Sequence, residues 1–380
     1  MTARWLRNLA ITGLLAVSCG SAHGLATSPS TASSSRTTTA SSARVEGSCP
    51  AVQPVPQFSA SAPSSRNLAL VSLRGGTGLV VRDITDISHP TTVGTVDVSS
   101  RPKFVSASDV SYLDQNGNLV RSGFGGSSVT IVAACASLFD WSRDGASLVY
   151  LSQTASGMDD LHQITAGKDR VLGTMPAGGV GGCETIEGCA TIANSIDFRL
   201  AYSPDGATIS LVSSGFGKSA FRVLSSDGKS LKSSDELGAT MSTWSGDGLY
   251  YRDAAGVHVW RAGAVSTFLP GVTWIGPNAS PGGGKIAYVT RDIRGWAHTY
   301  IVDTTTRIVR ELKSARTQPV FLTSRYVWYQ GERECVPADG CGSNPPFHPL
   351  SGKTYIYDLQ TGTETESIIT SVADVWPHAG

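Results

Sequence analysis

The sequence predicts an all-β fold: a β-propeller of seven four-stranded blades, with six or eight left open by the weaker copies of its repeat. Three observations predict it. Leu200 to Val212 reads as a hairpin, because Pro204 presets φ at the first corner of a turn, Asp205 can bond its own backbone and Gly206 supplies a positive φ. The pattern recurs in degraded form at Trp141-Ser-Arg-Asp-Gly145, Trp244-Ser-Gly-Asp-Gly248 and Ala279-Ser-Pro-Gly-Gly283, and Ser203, Ser245 and Ser280 are spaced by 42 and 35 residues, a blade-like period. A second hairpin follows the first, as at Tyr300–Leu312 and Tyr355–Gly362, and two hairpins make the four strands of a blade.

The motif Trp/Tyr-Ser-Pro-Asp-Gly-x-x-Ile/Leu-x-Tyr resembles the WD40-like repeat of the TolB propeller family, over most of residues 65 to 365. The resemblance implies the propeller fold and says little about activity. In such propellers the segment leading into the innermost strand lies around the central channel. That registration places Arg101, Asp140, Asp197, Arg199, Trp274 and Arg316 near the channel mouth, as candidates for binding a polar ligand or a peptide.

Taken in order, residues 1–24 have the layout of an export signal: Arg4 and Arg7, then an apolar run from Leu9 to Val17 that is too short to span a bilayer as a helix. Leu15-Ala-Val-Ser-Cys19 resembles a bacterial lipobox, which makes Cys19 the candidate for lipid attachment; the alternative is ordinary cleavage after Ala22-His-Gly24 and a secreted protein. Residues 25–48, mostly Ser, Thr and Ala, cannot bury enough surface to offset the entropy of ordering and read as a disordered tether. Residues 49–380 are assigned to the propeller.

Within that domain, Leu68–Leu73, Gly78–Ile84 and Thr91–Val96 supply three strands of a first blade that needs four. The fourth is expected from Ala373–Pro377, which closes the ring and removes an open edge, with the proline-rich residues 51–60 as the competing candidate. Weaker echoes of the turn at Ser72–Gly76, Tyr112–Gly117 and Leu322–Arg325 bring the count to seven. Asp114-Gln-Asn-Gly-Asn118 has the opening spacing of a calcium loop but lacks its distal acid, so it reads as a turn. Trp141, Tyr202 and Trp244 are expected to wedge between blades. Residues 176–192 and 331–352 read as inserted loops, and the second is a candidate binding surface.

Thirty basic and thirty acidic residues give a formal net charge of zero, with no basic footprint for nucleic acid and no polybasic patch for anionic lipid. Seven cysteines become six once Cys19 is set aside. Cys183 with Cys189 and Cys335 with Cys341 fit local disulfide clasps, which leaves Cys49 with Cys135; six cysteines allow 15 pairings, and an oxidising compartment suits the pattern. There is no Gly-x-Ser-x-Gly elbow and no His-Glu-x-x-His, and the histidines are scattered, so no catalytic residue, cofactor or metal is assigned.

The expected function is therefore an exported, lipid-anchored and monomeric binding scaffold for a protein or a cell-envelope ligand. Two alternatives stand beside it. One is an enzyme acting on carbohydrate or peptide at the channel mouth through residues such as Asp140, Asp197 and His298; the other is a purely structural envelope protein.

Overall fold

The computed structural model describes residues 51–377, apart from 62–63, 77, 97–99, 115, 125, 127, 134–135, 154–157, 177–196, 216–217, 235–239, 247 and 335–349. No helix occurs among them. The chain folds as a seven-bladed β-propeller, and each blade is an antiparallel sheet of four strands.

Blade one contains β1 (Leu68–Leu73), β2 (Leu79–Asp83) and β3 (Thr91–Val96). Blade two runs from the axis outward as β4 (Ser100–Phe104), β5 (Asp109–Leu113), β6 (Leu119–Gly123) and β7 (Ser128–Val132); blade three as β8 (Ala136–Trp141), β9 (Ser147–Gln153), β10 (Met158–Thr165) and β11 (Lys168–Pro176). Blade four is β12 (Asp197–Tyr202), β13 (Thr208–Gly215), β14 (Lys218–Ser225) and β15 (Ser230–Ser234), and blade five is β16 (Thr240–Ser245), β17 (Gly248–Asp253), β18 (Gly256–Arg261) and β19 (Ala264–Pro270). Blade six is β20 (Ile275–Ala279), β21 (Lys285–Arg291), β22 (Ala297–Asp303) and β23 (Val309–Ser314). Blade seven is β24 (Arg316–Phe321), β25 (Tyr326–Arg333), β26 (Leu350–Asp358) and β27 (Glu364–Glu366), and the last strand, β28 (Ile369–Trp376), returns to become the innermost strand of blade one.

That closure is antiparallel, with Leu68 opposite Trp376 and Leu70 opposite Asp374. The expected origin of the missing strand is thus borne out. Residues 51–61 form no blade strand; they strap blades two and three together. Ala51 bridges Val132 and its N–H donates to Asp169 (3.0 Å), Val52 N–H donates to the Ile131 carbonyl (2.9 Å), and Ser61 N–H donates to the Asp144 carbonyl (2.6 Å). Phe58 meets Trp141 edge to face at 4.7 Å, with the Arg121 guanidinium within 6 Å of both rings.

The burial pattern follows from stacking blades face to face. Second strands are covered on both sides and read as unbroken apolar runs, as in Leu68-Ala-Leu-Val71, whereas outermost strands such as β19 are mostly exposed. Large rings before the turns fill the wedges between blades, as expected. Trp244 Nε1 donates to Ser210 Oγ of blade four (2.9 Å), and Gln163 of blade three donates to the Tyr202 hydroxyl (2.9 Å).

In blades three and four the turn motif works as its residues suggest: Ser142 and Ser203 donate to Asp144 and Asp205 (2.6 Å each), and each aspartate accepts the N–H two residues on. Asp114 likewise caps its own turn through the N–H groups of Asn116 and Asn118 (2.8 and 2.9 Å). Two of the weaker echoes are corrected. Ser72–Gly76 and Tyr112–Gly117 lie between second and third strands, not after innermost ones. The first turn of blade two is Val105–Asp109, and blade one has no such turn because its innermost strand arrives from the other end of the chain. All seven cysteines and the core of both inserted loops lie outside the described residues.

Candidate functional site

The seven innermost strands surround an axial cavity of about 630 Å³. Each contributes the residue one place before its inter-blade ring, or the register equivalent: Asp374, Lys103, Asp140, Ala201, Thr243, Asn278 and Val320, in order around the axis. Three of the seven are Asp or Asn, and all three make the same bond to the next blade. Asp374 accepts from Phe104 N–H (2.7 Å), Asp140 from Tyr202 N–H (2.8 Å) and Asn278 from Phe321 N–H (2.7 Å). The cavity wall is therefore also the hoop that ties blades one to two, three to four and six to seven.

Among these seven positions the charged residues fall on three successive blades, one, two and three. Lys103 Nζ donates to the second oxygen of Asp140 (2.5 Å), with 35% of the lysine side chain and 10% of the aspartate side chain exposed. Burial works against the ammonium, but Asp140 and then Asp374 outweigh it against the opposing charge of Arg199, so Lys103 is held above the usual lysine range and stays protonated.

The adjoining layer explains Arg199. On five of the seven innermost strands the register slips just before the cavity-lining residue; on β8 it slips earlier, between Ala136 and Leu138, and β12 alone pairs without interruption. In blades five, six and seven the bulge puts Met241, Gly276 and Gln318 at φ near +50°, a conformation that side chains other than glycine rarely adopt. Bulging interrupts the ladder, and Arg199 from the regular strand takes up the Ser242 carbonyl of blade five (2.8 Å) and the Pro277 carbonyl of blade six (3.3 Å).

At one end the cavity adjoins a second hollow of about 600 Å³, lined by the first turns of blades three and four, by Ser61 and Ser64, and by Trp376. Arg143, Pro204 and Pro377 line both spaces and mark the mouth.

Of the residues expected at the mouth, Asp140 and Arg199 line the cavity. Arg101 and Asp197 lie on innermost strands, β4 and β12, with side chains outside the described residues. Two expectations are corrected. Trp274 is fully buried in the core between blades five and six and donates to the Met241 carbonyl (2.9 Å), because a bulged strand turns the residue before it into the wedge. Arg316 lies back over its own blade, paired with Glu364 (2.7 Å) and stacked 4.1 Å above the Tyr355 ring. Lys103, Asp374, Asn278 and Thr243 were not anticipated.

His298 is on β22, the third strand of blade six, and does not line the cavity; it contacts Glu311 (2.9 Å) and Asp292 (3.5 Å). The hydrogen bond that His298 donates to Glu311, helped by Asp292, outweighs burial and raises the imidazole above the ordinary histidine range. Because the folded value exceeds the unfolded one, this group stabilises the fold fully below about pH 6.5 and loses its contribution as pH rises through the folded value. An NMR titration of His298 is expected to give a midpoint above that of a free histidine, falling in Glu311→Gln; equal midpoints in the two proteins would contradict the assignment.

No protein-family model matches the sequence, and no curated protein matches it. Solved structures do resemble it. Prolyl oligopeptidase B from Galerina marginata is 11% identical over 84% of this chain and 51% of its own, with a TM-score of 0.52. A prolyl endopeptidase is 13% identical over 82% and 50%, with a TM-score of 0.51. TolB from Acinetobacter baumannii is 15% identical over 84% and 67%, with a TM-score of 0.42. The chain spans about half the length of the two peptidases, and at these identities the similarity is one of fold.

Proposed function

We propose that the chain is an exported, lipid-anchored propeller that acts as a binding scaffold at the cell envelope, receiving a polar segment of a protein or envelope ligand at the mouth of its axial cavity. One observation carries this reading. The cavity's carboxylates are committed to blade-to-blade bonding and to Lys103, while the rim beyond them is an open polar hollow, continuous with the cavity, that presents Arg143, Asp144 and Asp205. Such a wall is rigid and a rim of this kind can take hydrogen bonds, which suits recognition more than proton transfer. The hydrolytic activity of the two similar peptidases is not transferred, since the similarity supports the fold alone.

A photo-crosslinking residue at position 143, at the mouth, is compared with one at position 310, exposed on the outermost strand of blade six. In the native envelope the mouth position is expected to give a discrete adduct that the outer position lacks. Identical patterns from both, or no adduct from either, would overturn the reading. Anchoring rests on residues 15–19 and has its own test: mass spectrometry of the mature protein is expected to find an acylated N-terminal Cys19, and an unmodified N-terminus at Leu25 would contradict it.

A further inference from the structure

Each Asp or Asn of the hoop spends a side-chain oxygen on a backbone N–H of the next blade, so what remains for the cavity depends on the residue type. Asparagine has one oxygen and an amide nitrogen with two donors. The Phe321 N–H fixes the Asn278 oxygen (2.7 Å), which leaves Nδ2; among the described residues that group makes no hydrogen bond, and half-buried Asn278 lines the cavity.

Asp140 leads to the same result by another route. Both its oxygens are taken, one by the Tyr202 N–H (2.8 Å) and one by Lys103 (2.5 Å). An ammonium carries three donors, and among the described residues Lys103 spends only this one. At the mouth, exposed Arg143 lines both spaces and makes neither a hydrogen bond nor an ion pair among the described residues. From the outer hollow to the hoop, these three side chains thus hold unspent donors, and two of them are cations.

We infer that the axial cavity receives the carboxylate at the end of a peptide chain, with Asn278 and Lys103 donating to its oxygens from blades six and two and Arg143 drawing it in at the mouth. The inference rests on the reading of the mouth as the place of recognition. A hole on the axis is entered end on, so a chain terminus reaches the hoop while the residues before it lie in the outer hollow. Asp140 and Asp374 oppose an incoming anion; Lys103 answers the first, and Arg143 is the cation that tips the balance.

The test is NMR titration of the isotope-labelled full chain with N-acetyl-tetraalanine as the free acid, with the same peptide as its C-terminal amide, and with acetate. The free acid is expected to bind saturably and to shift the Asn278 side-chain amide signals, with the amide and acetate at least about tenfold weaker. Arg143→Gln is expected to weaken the free acid about tenfold, and Arg310→Gln, on the outermost strand of blade six, to leave it unchanged. Asn278→Asp is the sharper variant. It keeps an oxygen for the Phe321 N–H, as Asp140 and Asp374 do for their own neighbours, but exchanges two donors for a negative acceptor, so binding is expected to be lost in a folded protein. No binding of the free acid, equal binding of acid and amide, or unchanged binding by Asn278→Asp overturns the inference, and acetate binding as tightly as the peptide overturns the chain terminus. An adduct at position 143 that persists through such a failure leaves the scaffold reading standing; a bound free acid with no adduct in the envelope does the reverse.

Discussion

Replacing Asp140 with alanine is expected to destabilise the protein by about 2–4 kcal/mol, seen as a lower midpoint of urea unfolding with an unchanged slope. The substitution removes two things together. Lys103 loses its 2.5 Å partner, and the Tyr202 N–H, which donates to Asp140 across the blade boundary, loses its acceptor. A fully buried broken pair costs more; the lysine here is about a third exposed, and solvent recovers part of the loss. Asp140→Asn separates the two effects, because Asn278 already makes the same inter-blade bond with an amide oxygen. It is expected to lose about 1–2 kcal/mol. Adding Lys103→Met to Asp140→Asn then recovers stability, since the uncompensated charge is gone. An Asp140→Ala protein within about 0.5 kcal/mol of wild type would show that the hoop is not a stabilising feature.

The second large effect concerns ring closure. A chain ending at Ile368 lacks β28, and its loss uncovers Leu68, Ala69, Leu70 and Val71, none of which is exposed in the intact protein. It also removes the Ile369 carbonyl, which accepts from Trp328 Nε1 (3.0 Å) and Thr354 Oγ1 (2.6 Å), and the Asp374 carboxylate that binds blade two. An unpaired apolar strand is an aggregation template. The truncated protein is expected to show no cooperative thermal transition and to self-associate. A monomer melting near the wild-type temperature would mean that six complete blades and three strands are stable without closure.

The fold was legible because its signals are local. A turn of the form Ser-Pro-Asp-Gly is written in four consecutive residues, and the apolar runs beside it are continuous because strands between blades are covered on both faces. The axial site was only half legible. Asp140 stands two residues before Ser142, and the same offset from Ser203, Ser245 and Ser280 leads to Ala201, Thr243 and Asn278; applied uniformly, it finds four of the seven cavity positions. Lys103 and Asp374 escape it, because blade two turns through Val105–Asp109 without the motif and blade one has no first turn at all. Trp274 and Arg316 were misplaced for a different reason. Bulges on β20 and β24 shift the alternation of sides, and a bulge has no sequence signature as plain as a turn.

The axial cavity exists only if the chain closes on itself, so residue-resolved native-state hydrogen exchange is the most direct test. Amides of β28 and β1 are expected to exchange together, and only through global unfolding, with protection equal to that of the second strands of blades five and six. Exchange of β28 at near-random-coil rates, with blades two to seven still protected, would contradict the closed ring and with it the site at its centre.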